Sequence, residues 1–211
     1  MVERLETGTE RRFRFFEIVY VVGFPFLVAI GVATIIMSMS LSRGGGPGLW
    51  LFSAFVWALI LVPVVKRIRG TSNRHRFLKS ITNSLRDPEY FNPGESFEVY
   101  NRVEGKYLGI DTKNGTILYV HRIREGQVDV VGLTMDHWIN REVEGVKLRL
   151  YTKLLELPRI EIATPWAQHW FDTLGAMEFK SYNTPQSFAQ YVRDRLEALE
   201  REHNVQIPRM A

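Results

Sequence analysis

The hydrophobic pattern splits the chain into two parts. Val19 to Leu41 carries no charged residue, and neither does Leu49 to Val65. Between them lies Ser42-Arg43-Gly44-Gly45-Gly46-Pro47-Gly48, whose glycines and proline predict a short turn. At 1.5 Å per residue the first run reaches roughly 34 Å as a helix, enough to cross a hydrocarbon core, while the second is at the short end for a span. The pattern therefore predicts a hairpin of two transmembrane helices over about 19–41 and 49–65. The first run is too long for the apolar region of a signal peptide, and no small-residue cleavage site follows it. Pro25 predicts a kink, and Ala29 and Ala33 form a small-residue pair. Trp50 is placed at a headgroup boundary, and Trp57 against the first helix.

Beyond Val65 the periodicity changes. Phe77, Ile81 and Leu85 recur at i, i+4 and i+8 and predict a helix from Arg76 to Arg86, stopped by Asp87-Pro88. Short β-type runs follow at 97–103, 106–112, 116–122, 127–133, 146–152 and 159–163, about six strands. Asn114-Gly115 between two of them is a hairpin signal. Thr164-Pro165 opens a helix to about Met177, with Trp166, Trp170, Phe171 and Leu174 as its apolar face. Thr184-Pro185 opens another, to about His203, striped by Phe188, Val192, Leu196 and Leu199. The fold class expected is α+β. Residues 1–70 form a basic segment and hairpin, 71–87 a juxtamembrane helix, and 88–211 an antiparallel sheet or small barrel capped by C-terminal helices.

Charge orients this arrangement. Residues 1–79 hold 11 Lys/Arg against 4 Asp/Glu, whereas residues 80–211 hold 16 against 19. The surplus flanks the apolar runs: Arg11, Arg12 and Arg14 precede the first, while Lys66, Arg67, Arg69, Arg74, Arg76 and Lys79 follow the second. Only Arg43 lies in the turn. The positive-inside rule then places both termini in the cytoplasm, with the flanking cations as candidate membrane-surface residues. The mildly acidic C-terminal part argues against nucleic acid as a partner.

Candidate chemistry is sparse. There is no cysteine, which excludes disulfides and thiolate metal sites. The histidines (His75, His121, His137, His169, His203) show no metal-ligand spacing, and adjacency makes Asp136-His137 no sign of a dyad. No nucleophile elbow, Walker or dinucleotide motif is present. Asp111 to Thr116 reads as a hairpin with Asp111 or Thr112 bonding its turn. Glu142 and Glu144 near Arg141 and Lys147 read as a salt-linked loop. The residues therefore point to no enzyme, no cofactor and no metal. Trp138, Trp166 and Trp170 are candidate partner-binding residues or core of the small domain.

The order of parts carries a resemblance. The stretches KYLGIDTKNGTILYV, VDVVGLTMDHW and EVEGVKLRLYTKLLELPRIEIAT, followed by AQHWFDTL, resemble bacterial pleckstrin-homology-like (PH-like) domains over residues 97–178. That resemblance implies a seven-stranded bent sheet capped by a helix, used to bind partners or lipid. The whole layout is similar to the surface or entry exclusion proteins of IncI-type conjugative plasmids (the ExcA family). This implies a bacterial inner-membrane recognition protein that blocks redundant DNA transfer by recognising a membrane protein of the conjugation machinery. A structural subunit of a transfer or secretion assembly, or a lipid-surface regulator, are the alternatives.

Overall fold

The computed structural model describes residues 8–40 and 47–209. The expected turn lies largely outside the described residues. Contacts divide the chain into two compact units, Met1–Gly70 and Thr71–Ala211.

The first unit holds α1 (Gly8–Ser40) and the first part of α2 (Pro47–Leu85). They run antiparallel, since Tyr20 meets Ile60 and Thr34 meets Ser53. Thr34 Oγ1 and Ser53 Oγ share a hydrogen bond of 3.2 Å, and the Thr34 hydroxyl also lies 2.7 Å from the Gly31 carbonyl. Pro63 has no N–H to donate within its helix. One turn before it, the Tyr20 hydroxyl donates to the Ile60 carbonyl at 2.9 Å. Gly31 lets α1 settle against Trp57 and Ile60. Ala29 and Ala33 are exposed rather than in this contact. The polar pair is inside, and the outside is apolar: Val22, Phe26, Ile36, Leu51, Phe55 and Val62 are all exposed. Among the described residues one helix, Trp50–Leu85, is long and apolar enough to cross a membrane, and Val22–Met37 is a shorter apolar helix.

The second unit is mixed helix and sheet. Strands β1 (Glu98–Asn101), β2 (Lys106–Asp111), β3 (Thr116–Arg124) and β4 (Gln127–Thr134) form one antiparallel sheet in that order. Strands β5 (Trp138–Glu144), β6 (Lys147–Thr152) and β7 (Arg159–Ala163) form a second. No strand pairing among the described residues joins the two into a closed barrel. Helices α3 (Ala167–Met177) and α4 (Phe188–His203) follow.

The first sheet is buried on both faces, which is why β2 to β4 read as nearly continuous apolar runs. On one face Tyr107, Leu118, Val120, Val128 and Val130 pack against Leu78, Ile81 and Leu85 of α2 and the apolar stripe of α4. On the other, Leu108, Ile110, Ile117, Tyr119, Val131 and Leu133 meet the second sheet and α3. Alternation sends neighbours to opposite layers. Gly132 sits where α4 crosses β4: a Cβ there would lie 2.7 Å from Val192 and 3.0 Å from the Phe188 carbonyl.

Several expectations change. The helix expected over Arg76–Arg86 is the end of α2; of its stripe Ile81 and Leu85 are fully buried and Phe77 packs partly buried against the same core, with Leu78 and Thr82 buried beside them. Among the described residues there are seven strands, because the charged stretch read as a salt-linked loop is β5. Its pairings also differ: Glu144 meets Arg149 at 2.5 Å, Lys147 meets Glu161 at 3.3 Å, and Glu142 accepts from the Tyr151 hydroxyl. The last helix begins at Phe188, not at Thr184-Pro185, because the Thr184 hydroxyl is taken up by the Gln186 carbonyl in a preceding loop. Asp111 closes the β2–β3 turn by accepting from the Lys113 and Asn114 N–H groups.

Candidate recognition surface

The three tryptophans of the second unit do not share one surface. Trp170 is fully buried on α3, and its indole N–H donates to the Ser96 carbonyl at 2.9 Å, tying α3 to the residues before β1. Trp138 is buried at the start of β5. Trp166 is 57% exposed. It stands just before α3, beside the β5–β6 turn, where the Thr164 N–H donates to the Val146 carbonyl at 2.7 Å. Val146 is exposed too, as is Pro165, so this end of the second sheet presents an apolar patch.

Arg141 holds the frame beneath. Its guanidinium lies 4.7 Å from the Phe171 ring centre and 5.5 Å from that of Trp138, and pairs with Glu178 at 2.7 Å. Such a cation between aromatic faces fixes strand against helix. Beyond Glu178, Phe179 is exposed, and so are Ile139 on β5 and Leu155 in the β6–β7 loop.

The basic residues distribute differently. Lys66, Arg67, Arg69, Arg76 and Lys79 lie exposed along α2. Arg74 donates to the Val103 carbonyl at 2.9 Å, holding the β1–β2 turn. Arg11, Arg12 and Arg14 belong to α1 by backbone, and their side chains lie outside the described residues.

A polar cluster joins α2 to β1 and β2. The Thr82 and Tyr100 hydroxyls are 2.9 Å apart, Glu98 accepts from the Tyr107 hydroxyl at 3.1 Å, and Arg86 pairs with the same Glu98 carboxylate. Burial, then the neighbouring Glu98 carboxylate, pushes the Tyr107 phenol far above its ordinary range. Burial likewise raises Tyr100. Both phenols stay neutral near pH 7, and their hydrogen bonds tie α2 to the first sheet. Among the described residues no group of three His, Asp or Glu could hold a metal ion. Asp136 and His137 form no dyad: the ring nitrogen Nδ1 faces Thr134.

A family model described as exclusion-determining protein matches residues 1–211, the whole length of the chain. The chain belongs to the exclusion-determining protein family. No curated protein and no solved structure matches it. Membership supports a role in excluding incoming plasmid, and the family's description names a determinant of exclusion, not a reaction. In an exclusion-determining protein the Val146–Trp166 patch and the exposed cations of α2 are the surfaces to weigh.

Proposed function

We propose that this chain is a membrane-held recognition protein. It blocks uptake of redundant conjugative plasmid by binding a component of the conjugation machinery. The match of the exclusion-determining family to the whole chain carries this reading. In it, α1 and the apolar part of α2 are two spans of a bacterial inner membrane, both termini are cytoplasmic, and residues 88–211 supply a cytoplasmic recognition domain. The inside-out pattern of the helix pair supports two spans, because a Thr34–Ser53 pair inside and large apolar residues outside suit lipid, not water. The exposed Lys66, Arg67, Arg69, Arg76 and Lys79 then meet anionic headgroups. The split into four strands and three, with α3 directly after the last strand, supports the PH-like resemblance. The exposed apolar residues of the second unit support a protein partner.

A mating assay tests this reading. Recipients expressing the chain should take up the cognate plasmid at least tenfold less often than recipients with an empty vector. Unchanged uptake would remove the exclusion role. Loss of donor ability on deletion would instead favour a structural subunit of the transfer assembly.

A further inference from the structure

We propose that the cleft between α4, β4 and the β6–β7 loop is a receptor for a carboxylate carried beside an apolar side chain on a partner polypeptide. This deepens the function proposed above and rests on reading the second unit as a recognition module.

The cleft has a volume of about 270 Å³. Its floor is apolar, made by Val130, Val131, Leu154, Val192 and Leu196, and its rim carries His137, Lys153 and Arg193. The three basic groups come from separate elements. His137 lies between β4 and β5, Lys153 follows β6, and Arg193 stands on the solvent side of α4. The Lys153 N–H donates to the His137 carbonyl at 2.9 Å, which brings the first two together. The close seat of α4 on Gly132 brings in the third.

The rim is short of negative charge. Among the described residues neither Lys153 nor Arg193 has a carboxylate within ion-pair distance, although residues 80–211 carry more acidic than basic side chains. Both cations are exposed at the mouth of the cleft. His137 is pre-set as a donor. The Thr134 backbone N–H can only donate, and it points at Nδ1 at 3.1 Å. The neutral ring therefore carries its proton on Nε2. Burial, with Arg193 and Lys153 nearby, keeps the ring below its ordinary pKa despite the adjacent Asp136.

An ammonium, a guanidinium and an imidazole N–H above an apolar floor match an anion on an apolar stem. The volume lies just under the usual range for drug-sized ligands, so the cleft suits one side chain with its carboxylate and is too small for a lipid tail.

The test uses the full chain in mild detergent, with N-acetyl-leucine as probe and binding read from the His137 ring resonances. Saturable binding in roughly the millimolar range is expected for so small a ligand. N-acetyl-leucinamide, which lacks the charge, should bind at least tenfold more weakly, as should inorganic phosphate. Lys153→Met and Arg193→Met should each weaken the probe at least tenfold with an unchanged thermal melt, since both side chains are exposed. Equal binding of acid and amide, tighter binding of phosphate, or unchanged binding in both variants would overturn the assignment. A double variant that loses the probe yet still excludes plasmid would overturn the cleft's part in recognition and leave the exclusion role standing. Failure of the wild-type chain to exclude would strike the proposed function alone, with the probe binding still decided by its own arms.

Discussion

Thr34 and Ser53 hydrogen-bond to each other at 3.2 Å inside a helix pair whose outer surface is made of large apolar side chains. The two hydroxyls share the buried contact with Val56 and Ile60, while the outward side chains are apolar, as suits the two spans proposed above. In lipid, where the outer surface gains nothing by burial against the other helix, such polar contacts and close packing hold helices together. Replacing both residues by alanine should therefore weaken the pairing. A double-mutant cycle on unfolding in detergent should give a Thr34–Ser53 coupling of about 0.6 to 1 kcal/mol. A coupling near zero would mean that the two hydroxyls are merely adjacent.

The same logic of a shared acceptor applies to Glu98, which receives both Arg86 and the Tyr107 hydroxyl. Glu98→Ala leaves a half-buried guanidinium and a buried phenol unpaired, a loss of about 2 kcal/mol in chemical denaturation. Tyr107→Phe removes only one hydrogen bond and should cost about 1 kcal/mol. If the order of these two losses were reversed, the lock between α2 and the first sheet would not be organised around the carboxylate.

Gly132→Ala tests the seat of α4. The new methyl would meet Val192 and the Phe188 carbonyl within 3.0 Å, and the latter is backbone that cannot swing aside. Overpacking of this kind costs about 1 to 3 kcal/mol. Gly94, where a Cβ meets nothing within 4 Å, is the control and should tolerate alanine. Equal stability of the two variants would show that α4 can shift without penalty.

How far the chain could be read from its residues follows from the same packing. The i, i+4 stripe near the end of α2 is visible in the sequence, but its partners on the first sheet and α4 come from distant sequence, so the residues predict the helix without showing what its apolar face packs against. Strand β5 escaped because Trp138 is its only buried residue and a register shift lies between Trp138 and Asn140, which breaks the period-two pattern. Gly145, at φ +59° between Glu144 and Lys147, was the one signal of that hairpin. Trp166 and Trp170 are four apart and looked like one helical face. Trp166 precedes the helix with φ −96° and ψ 16°, so the two point to different surroundings. The cleft lined by His137, Lys153 and Arg193 joins three elements and leaves no local signature.

His137 makes stability depend on pH in a definite direction. Burial is the main cause of its lowered pKa, with Arg193 and Lys153 adding to it and Asp136 opposing. The unfolded chain, with an imidazole near pH 6.5, takes up a proton more readily than the folded one. The stability due to the neutral ring is complete above that value and is lost as pH falls through the lower folded pKa. His137→Asn retains an acceptor for the Thr134 N–H and does not titrate. The melting temperature of the wild type should fall more than that of the variant between about pH 7.5 and pH 5. Parallel curves would mean that the ring is solvated enough to titrate normally.

The two tryptophans that bracket the start of α3 separate stability from recognition. Trp170→Ala empties a fully buried site and removes the donor to Ser96, which should cost about 3 to 5 kcal/mol and lower the yield of folded chain. Trp166→Ala removes a mostly exposed ring whose neighbours, Val146 and Pro165, are exposed as well, so its effect on the melt should stay within about 0.5 kcal/mol. If the patch meets the partner, that same substitution should restore plasmid uptake in the mating assay, because exposed aromatic residues dominate binding energy once covered. Exclusion unchanged in Trp166→Ala, with the protein at normal level, would move the contact surface elsewhere on the domain. Exclusion lost in Trp166→Ala together with folding would show that the ring stabilises the start of α3 instead of facing a partner.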